Sequence, residues 1–172
     1  CLTEPHAGTA VGDLKTTAAK EGDRYRIRGT KIFISGGEHD LTDNIMHLVL
    51  ARTTDAPAGI KGVSLFLVPK CRFDGNGNIT VENDVTCVGI EEKMGLHGSS
   101  TCQLAFGEND ACEGFLVGEE NQGIQIMFQL MNEARMMVGL HATATSSVAY
   151  HEAREYALVR KQGRPLTERD PR

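Results

Sequence analysis

Two short segments contain the residue types that can bind a ligand. The first is Thr3–Thr9, in which Pro5 fixes one backbone angle and Gly8, which has no Cβ atom, lets the main chain approach a ligand closely. Thr3 and Thr9 supply a hydroxyl group on either side of this predicted turn. An ordinary polar loop has the same composition, so these residues alone leave both interpretations open.

The second segment is Lys31–Gly37, a predicted strand that ends at a Gly-Gly pair. Phe33 and Ser35 alternate along it, so both side chains are expected on the same side of the strand. An aromatic ring beside a hydroxyl group and free backbone amides could hold a flat heteroaromatic ring; the alternative is a phenylalanine packed in the core. Neither segment contains the G-K-[ST] sequence of a P-loop. No G-x-G-x-x-G follows a predicted strand, which excludes a Rossmann dinucleotide site here.

The histidines and cysteines show no spacing typical of a metal site. His141 and His151 are ten residues apart, whereas a zinc-binding helix places two histidines at i and i+4. The five cysteines include no C-x-x-C pair, and their odd number suits structural thiols in a reducing compartment. We therefore expect no metal ion, no disulfide framework and a cytoplasmic location.

Length and charge narrow the function classes. The chain has 172 residues, enough for one domain with its own core. Its formal net charge of -5 argues against a nucleic-acid-binding surface, which requires clustered Lys and Arg. No apolar run of about 18 residues is present, so no membrane span is expected. The N-terminal residues do not resemble a signal peptide, and the polar ends suggest an excerpt from a longer protein.

Short strands separated by turns are predicted up to residue 118. Residues 24–28 alternate strictly, so Tyr25 and Ile27 are expected to face a core while the arginines face solvent. About seven strands with turn residues between them favour a mainly β fold, a barrel or a sandwich. The predicted strands cover residues 15–19, 24–28, 31–35, 45–52, 63–69, 86–90 and 101–106.

After residue 118 the spacing of the apolar residues changes to that of a helix. Residues 122–161 contain no proline, Asn121 is a candidate N-cap, and Gly163 followed by Pro165 is a stop signal. A helix of this length spans about 60 Å, more than a core of seven strands can cover. Its far end is therefore expected to pack against further helices or another subunit. The apolar face comprises Ile124, Phe128, Met131, Met137 and Leu140.

Six segments resemble, in the correct order, motifs of the acyl-CoA dehydrogenases. They are Thr3–Thr9, Gly29–Gly37, Met94–Thr101, Val117–Gly123, Asn132–Arg135 and Tyr156–Lys161. The details are most similar to a large bacterial branch that includes the 3-methylmercaptopropionyl-CoA dehydrogenases.

The resemblance implies a middle β-barrel domain over residues 1–118, followed over residues 119–172 by the first helix of a C-terminal helical-bundle domain. In this family FAD lies between the two domains, and an acyl-CoA thioester is oxidised to the 2,3-enoyl-CoA. The implied partners are acyl-CoA, an electron-transferring flavoprotein, and further copies of the chain in a homodimer or homotetramer.

The resemblance also assigns site residues by position. Residues matching FAD contacts are Leu2, Thr3, Gly8, Thr9, Phe33, Ile34, Ser35 and, toward the FAD of a neighbouring subunit, Arg160. Residues matching acyl-CoA contacts are Thr9 and Arg135. A minority of the family carries its catalytic base where this chain has Ala134. The adjacent Glu133 is turned by about 100° along the helix, so the base is expected outside this segment.

Two alternatives remain open from the sequence. One is another flavoprotein of the same superfamily, an acyl-CoA oxidase or a protein of the DNA-alkylation response. The other is a non-enzymatic β-barrel module whose long helix mediates oligomerisation.

Overall fold

The computed structural model describes residues 1–163, and the chain divides into two compact units, Cys1–Phe128 and Gln129–Arg172. Nine strands, two 3-10 helices and one α-helix lie within the described residues. The strands are β1 (Thr17–Glu21), β2 (Arg24–Ser35), β3 (Met46–Thr53), β4 (Ser64–Pro69), β5 (Cys71–Phe73), β6 (Ile79–Glu82), β7 (Val85–Ile90), β8 (Thr101–Phe106) and β9 (Glu113–Leu116). The 3-10 helices are Val11–Asp13 and Gly59–Gly62, and α1 is Gly123–Val159. The predicted fold class, mainly β with one long helix, is confirmed.

The strands form one seven-stranded sheet and one separate hairpin. The order in the large sheet is β1-β3-β4-β9-β2-β8-β7, and β1 also pairs with β2. Strands β1, β3, β4, β9 and β2 therefore close a circuit of hydrogen-bonded neighbours, from which β8 and β7 extend. Strands β5 and β6 pair only with each other. The main apolar core is built from residues of β1, β2, β3, β4 and β8, together with Cys112.

Strand β2 is the longest strand and belongs to both parts of this sheet. Its first half alternates as predicted, with Tyr25 and Ile27 buried and the three arginines exposed. The sequence predicts two strands here, but β2 runs through Gly29, which pairs with Phe106 of β8. What interrupts β2 is a bulge between Lys31 and Ile34.

Three strands of the structure were not predicted from the sequence. The most consequential is β9, which lies between β4 and β2 in the centre of the sheet although it has only four residues. Its Gly114 lies against Ile27, where a Cβ atom would come within 2.8 Å of Cγ1. A segment this short, with a glycine forced by close packing, shows no alternation that a pattern could detect. The other two are the β5–β6 hairpin.

Helix α1 is as long as expected, but its first residues differ from the prediction. Asn121 is not its N-cap: it adopts a left-handed φ of +67°, and its amide donates to the Ser64 hydroxyl at 2.8 Å. The helix begins at Gly123 and ends at Val159, so it is slightly shorter than the predicted span of 122–161. The stop-signal residue Pro165 lies outside the described residues.

The side chains of α1 differ sharply along its length. Ile124, Ile126 and Met127 pack against a second apolar cluster built around Leu50 and Leu65. Farther along, every predicted apolar-face residue is exposed: Phe128, Met131, Met137 and Leu140. In residues 1–163, no helix combines the length and hydropathy needed to cross a membrane.

Gly123 fixes where α1 begins. A Cβ atom on this buried residue would lie 2.4 Å from the backbone carbon of Ser64 and 2.6 Å from the amide nitrogen of Leu65. Its own amide donates to the carbonyl of Val63 at 2.9 Å. The helix therefore starts in direct backbone contact with β4, an approach that only glycine permits.

We expect Gly123→Ala to lower the free energy of unfolding by about 1–3 kcal/mol, because neither backbone can yield without a shift of β4 or α1. Gly75→Ala is the control, since nothing lies within 4 Å of a Cβ added there. It should change stability by no more than about 0.5 kcal/mol. Thermal melting of both variants in the full-length protein measures the difference, and equal melting temperatures would contradict the proposed close contact.

Candidate functional site

The first residues of the chain lie alongside the second half of β2. The carbonyl of Thr3 accepts a hydrogen bond from the amide of Ile32 at 2.9 Å, and the carbonyl of Leu2 accepts one from Lys31 Nζ at 3.2 Å. Within residues 1–163, the amides of Leu2 and Thr3 and the Thr3 hydroxyl donate no hydrogen bond. The two segments singled out from the sequence are thus brought together, and the main-chain donors of Leu2 and Thr3 remain available.

A tight turn follows this segment. The amide of Glu4 donates to the carbonyl of Ala7 at 2.8 Å, and the amide of Ala7 donates back to the carbonyl of Glu4 at 3.1 Å. A Cβ atom at Gly8 would meet only Thr3 Cγ2, at an ordinary 3.7 Å. The packing of residues 1–163 therefore does not require glycine at this position. The neighbouring Thr9 is exposed.

Phe33 is exposed on the bulged half of β2. Its φ of +58° is left-handed, and 59% of the residue is accessible to solvent. The alternative of a core phenylalanine is therefore wrong: the bulge between Lys31 and Ile34 turns this part of β2 away from the regular pleat. Ser35 is also exposed, whereas Ile34 is half-buried against the core. A left-handed backbone at a residue other than glycine destabilises the fold by about 1–3 kcal/mol. Such strained residues are often found at functional sites.

A buried ion pair lies beneath these two segments. Lys31 Nζ is 2.8 Å from Glu4 Oε1, and the two side chains are 0% and 2% exposed. The same carboxylate oxygen accepts from the Thr16 amide at 3.0 Å and the Thr16 hydroxyl at 2.6 Å. The other oxygen accepts from the amide of Lys15 at 2.7 Å and lies 3.4 Å from Nε2 of His6.

These contacts decide the charge of Glu4. Burial acts to raise its pKa, but the hydrogen bonds from the Lys15 amide, Lys31 and Thr16 outweigh burial and hold the pKa below the ordinary 4.5. Burial lowers the pKa of Lys31, and the contact with Glu4 opposes that change. The sequence analysis did not single out either residue. The one signal was a lysine directly before the three apolar residues Ile32–Ile34.

The remaining predicted site residues lie in the second unit. Glu133 and Arg135 are exposed residues of α1, and Arg160 follows the last residue of that helix. Arg160 Nη1 donates to the Tyr156 hydroxyl at 2.8 Å, and its guanidinium lies 6.0 Å from the centre of the Tyr156 ring. Among the described residues, no three His, Cys, Asp or Glu side chains converge as metal ligands do. All five cysteines are free.

Comparison with known proteins identifies the family. The family described as "Acyl-CoA dehydrogenase, middle domain" matches residues 1–109. The chain belongs to the acyl-CoA dehydrogenase family. The family predicted from the sequence motifs is therefore confirmed.

Relatives across this family match nearly the whole chain. The 3-methylmercaptopropionyl-CoA dehydrogenase of Ruegeria pomeroyi is 47% identical over 96% of this chain and 28% of its own length. Butyryl-CoA dehydrogenase from Megasphaera elsdenii has a similar fold, with a TM-score of 0.70 and 32% identity over 97% of this chain and 40% of that chain. A chain in a solved structure of the electron transferring flavoprotein of Acidaminococcus fermentans gives a TM-score of 0.70 and 32% identity, over 97% of this chain and 40% of its own length. The chain thus spans less than half the length of each of these three proteins.

Glu4→Gln tests the buried ion pair through pH. Because the folded-state pKa of Glu4 is lowered, its contribution to stability is present above about pH 4.5 and is lost as the pH falls through that lower pKa. Glu4→Gln should lower the free energy of unfolding near neutral pH by about 3–5 kcal/mol and remove this part of the acid dependence. Thermal melting of the full-length apoprotein over a pH series measures both effects.

Glu108→Gln is the control for this experiment, because Glu108 is exposed. Its acid melting profile should match that of the wild type. A Glu4→Gln profile parallel to the wild type at every pH would show that the ionisation of Glu4 does not stabilise the fold.

Proposed function

We propose that this chain is the FAD- and acyl-CoA-binding segment of an acyl-CoA dehydrogenase that oxidises an acyl-CoA thioester to the 2,3-enoyl-CoA. The observation that carries the proposal is the hydrogen-bonded contact between the segment of Leu2 and Thr3 and the bulged half of β2, in a chain of this family. It joins a row of hydrogen-bond donors to an exposed aromatic ring.

The residues in this contact fit FAD. The Thr3 hydroxyl and the amides of Leu2 and Thr3 donate no hydrogen bond within residues 1–163, and donors of this kind suit the carbonyl oxygens of an isoalloxazine ring. Phe33 offers an exposed aromatic face. Neither group introduces a competing base. The chemistry of the donor set is thus that of a site for a flat, polar heteroaromatic ring.

When bound, FAD supplies the hydride acceptor for the oxidation. Leu2 and Thr3 would donate to the polar edge of the ring and stabilise negative charge there, while Phe33, Ile34 and Ser35 would line the face and the ribityl chain. Among the described residues, a Cβ atom at Gly8 would meet its one neighbour at an ordinary 3.7 Å, so a close approach of the pyrophosphate would account for the glycine. Thr9, exposed beside it, would contact both the pyrophosphate and acyl-CoA.

Two arginines of the second unit carry further proposed roles. We assign Arg135 to the substrate and Arg160 to the FAD of a neighbouring subunit, where a guanidinium can pair with a diphosphate in two hydrogen bonds. The α-proton of the substrate must be removed by a carboxylate. Since position 134 is alanine and Glu133 points about 100° away from it, we place that carboxylate outside this chain.

The same proposal covers assembly and location. Residues 1–118 would form the middle domain and residues 119–172 would begin the helical domain. The exposed apolar residues of α1 and the role given to Arg160 favour a homodimer or homotetramer. An electron-transferring flavoprotein is the proposed electron acceptor. Five free thiols suit the reducing cytoplasm.

The full-length protein tests this function directly. Its visible spectrum as purified should show flavin bands, and under anaerobic conditions these bands should bleach on addition of one class of acyl-CoA thioester. The thioester that bleaches the flavin most completely identifies the substrate class. A protein that stays colourless after FAD is supplied would contradict the proposal and favour the non-enzymatic module.

Phe33→Gly separates ligand binding from stability. Glycine relieves the left-handed φ of +58°, so the melting temperature of the apoprotein should not fall, while the loss of the aromatic face should raise the Kd for FAD about fivefold or more. Asp110→Gly is the matched control, with a φ of +54° and an exposed ion pair to Arg28. It should leave FAD affinity unchanged. A Phe33→Gly variant that binds FAD as the wild type does would remove Phe33 from the site.

A further inference from the structure

The pair Glu4–Lys31 is the one ion pair within residues 1–163 whose two side chains are both fully buried. Taking two charges out of water is costly, and apolar residues of similar volume often stabilise a fold as well or better. What the pair does provide is a fixed arrangement of the groups that hydrogen-bond to it. Its place in the fold shows which groups these are.

The Glu4 carboxylate joins three separate parts of the chain. It lies in the N-terminal segment, it accepts from Lys15 and Thr16 just before β1, and it pairs with Lys31 in β2. The Lys31 ammonium has a second acceptor, the carbonyl of Leu2 at 3.2 Å. One cation thus holds both a side chain and a main-chain carbonyl of the N-terminal segment.

The carbonyl contact sets the direction of the next amide. In a planar trans peptide the C=O and the following N–H point in opposite directions. Because Lys31 holds the Leu2 carbonyl toward the interior, the amide of Thr3 is directed away from it. The next carbonyl, that of Thr3, is fixed by the amide of Ile32 at 2.9 Å. Lys31 also directly precedes the bulge that exposes Phe33.

We propose that Glu4 and Lys31 are positioning residues for the flavin site: the buried pair orients the Leu2–Thr3 peptide so that the Thr3 amide faces the isoalloxazine ring. The inference rests on the proposed function, since it names how that same site is preorganised. Neither residue touches the cofactor. Both act through the peptide that does.

Lys31→Met in the full-length protein tests the proposal. Methionine keeps most of the apolar stem but removes the ammonium, so the Leu2 carbonyl loses its donor and the peptide is free to rotate. We expect the Kd of the apoprotein for FAD to rise about tenfold or more, with an altered shape of the flavin absorption bands in the protein that does bind. Arg28→Met is the control on the same strand, because its ion pair with Asp110 is exposed. FAD affinity should stay within about twofold of the wild type.

Thr16 supplies a second test that preserves the buried charges. Its hydroxyl donates to Glu4 at 2.6 Å, so Thr16→Val removes one donor without changing the size of the side chain, whereas Thr16→Ser keeps the hydroxyl. We expect Thr16→Val to raise the Kd for FAD about threefold and Thr16→Ser to restore it. Circular dichroism of the apoproteins establishes that each variant is folded. If Lys31→Met does not fold, the comparison of Thr16→Val with Thr16→Ser tests the positioning role.

The outcomes distinguish the inference from the function on which it rests. A wild-type protein that does not bind FAD overturns the proposed function and the positioning role together. A wild-type protein that binds FAD, with folded Lys31→Met or Thr16→Val variants that match its affinity and its flavin bands, overturns only the positioning role. Weakened binding with a changed spectrum, restored in Thr16→Ser, supports it.

Discussion

The buried contact between Glu4 and Lys31 ties the N-terminal segment to the sheet. A carboxylate and an ammonium can be buried together only when hydrogen bonds replace the lost water, and Glu4 receives these from Lys31, from the Lys15 amide and from both donors of Thr16. Each of these donors comes from a different stretch of the chain than Glu4 itself. The pair therefore requires β1, β2 and the N-terminal segment to be in place at once, and it holds them in one arrangement.

The two halves of strand β2 have different roles, one in the core and one in the candidate site. Its first half alternates regularly and buries Tyr25 and Ile27 in the main core. Its second half departs from the pleat at the bulge, where Phe33 takes a left-handed backbone and faces solvent. The surrounding sheet supports this strain, because β8 pairs with β2 on both sides of the bulge. The paired strand thus presents an aromatic ring to solvent, outside the apolar core.

The packing of helix α1 differs between its first residues and the rest of its length. Its first turn is fixed to β4 through Gly123, and its next apolar residues pack against the second cluster. From Phe128 onward its large apolar residues are exposed. The relatives, of which this chain spans about 28–40%, have the length to cover such a surface. In proteins, most of the stability of a helix comes from the packing of its apolar face, more than from helix propensity.

The sequence by itself determined the alternation that makes β2 a strand, the change to a helical period after residue 118, and the order of motifs that identifies the family. These are local properties, because they depend on side-chain types at fixed spacings. Only the tertiary structure decided that β2 is one strand with a bulge, that β9 fills the centre of the sheet, and that Phe33 is exposed. It also decided that Lys31 pairs with Glu4, 27 residues away. Such contacts join residues that are distant in the sequence, and the period of a single segment carries no information about its partner.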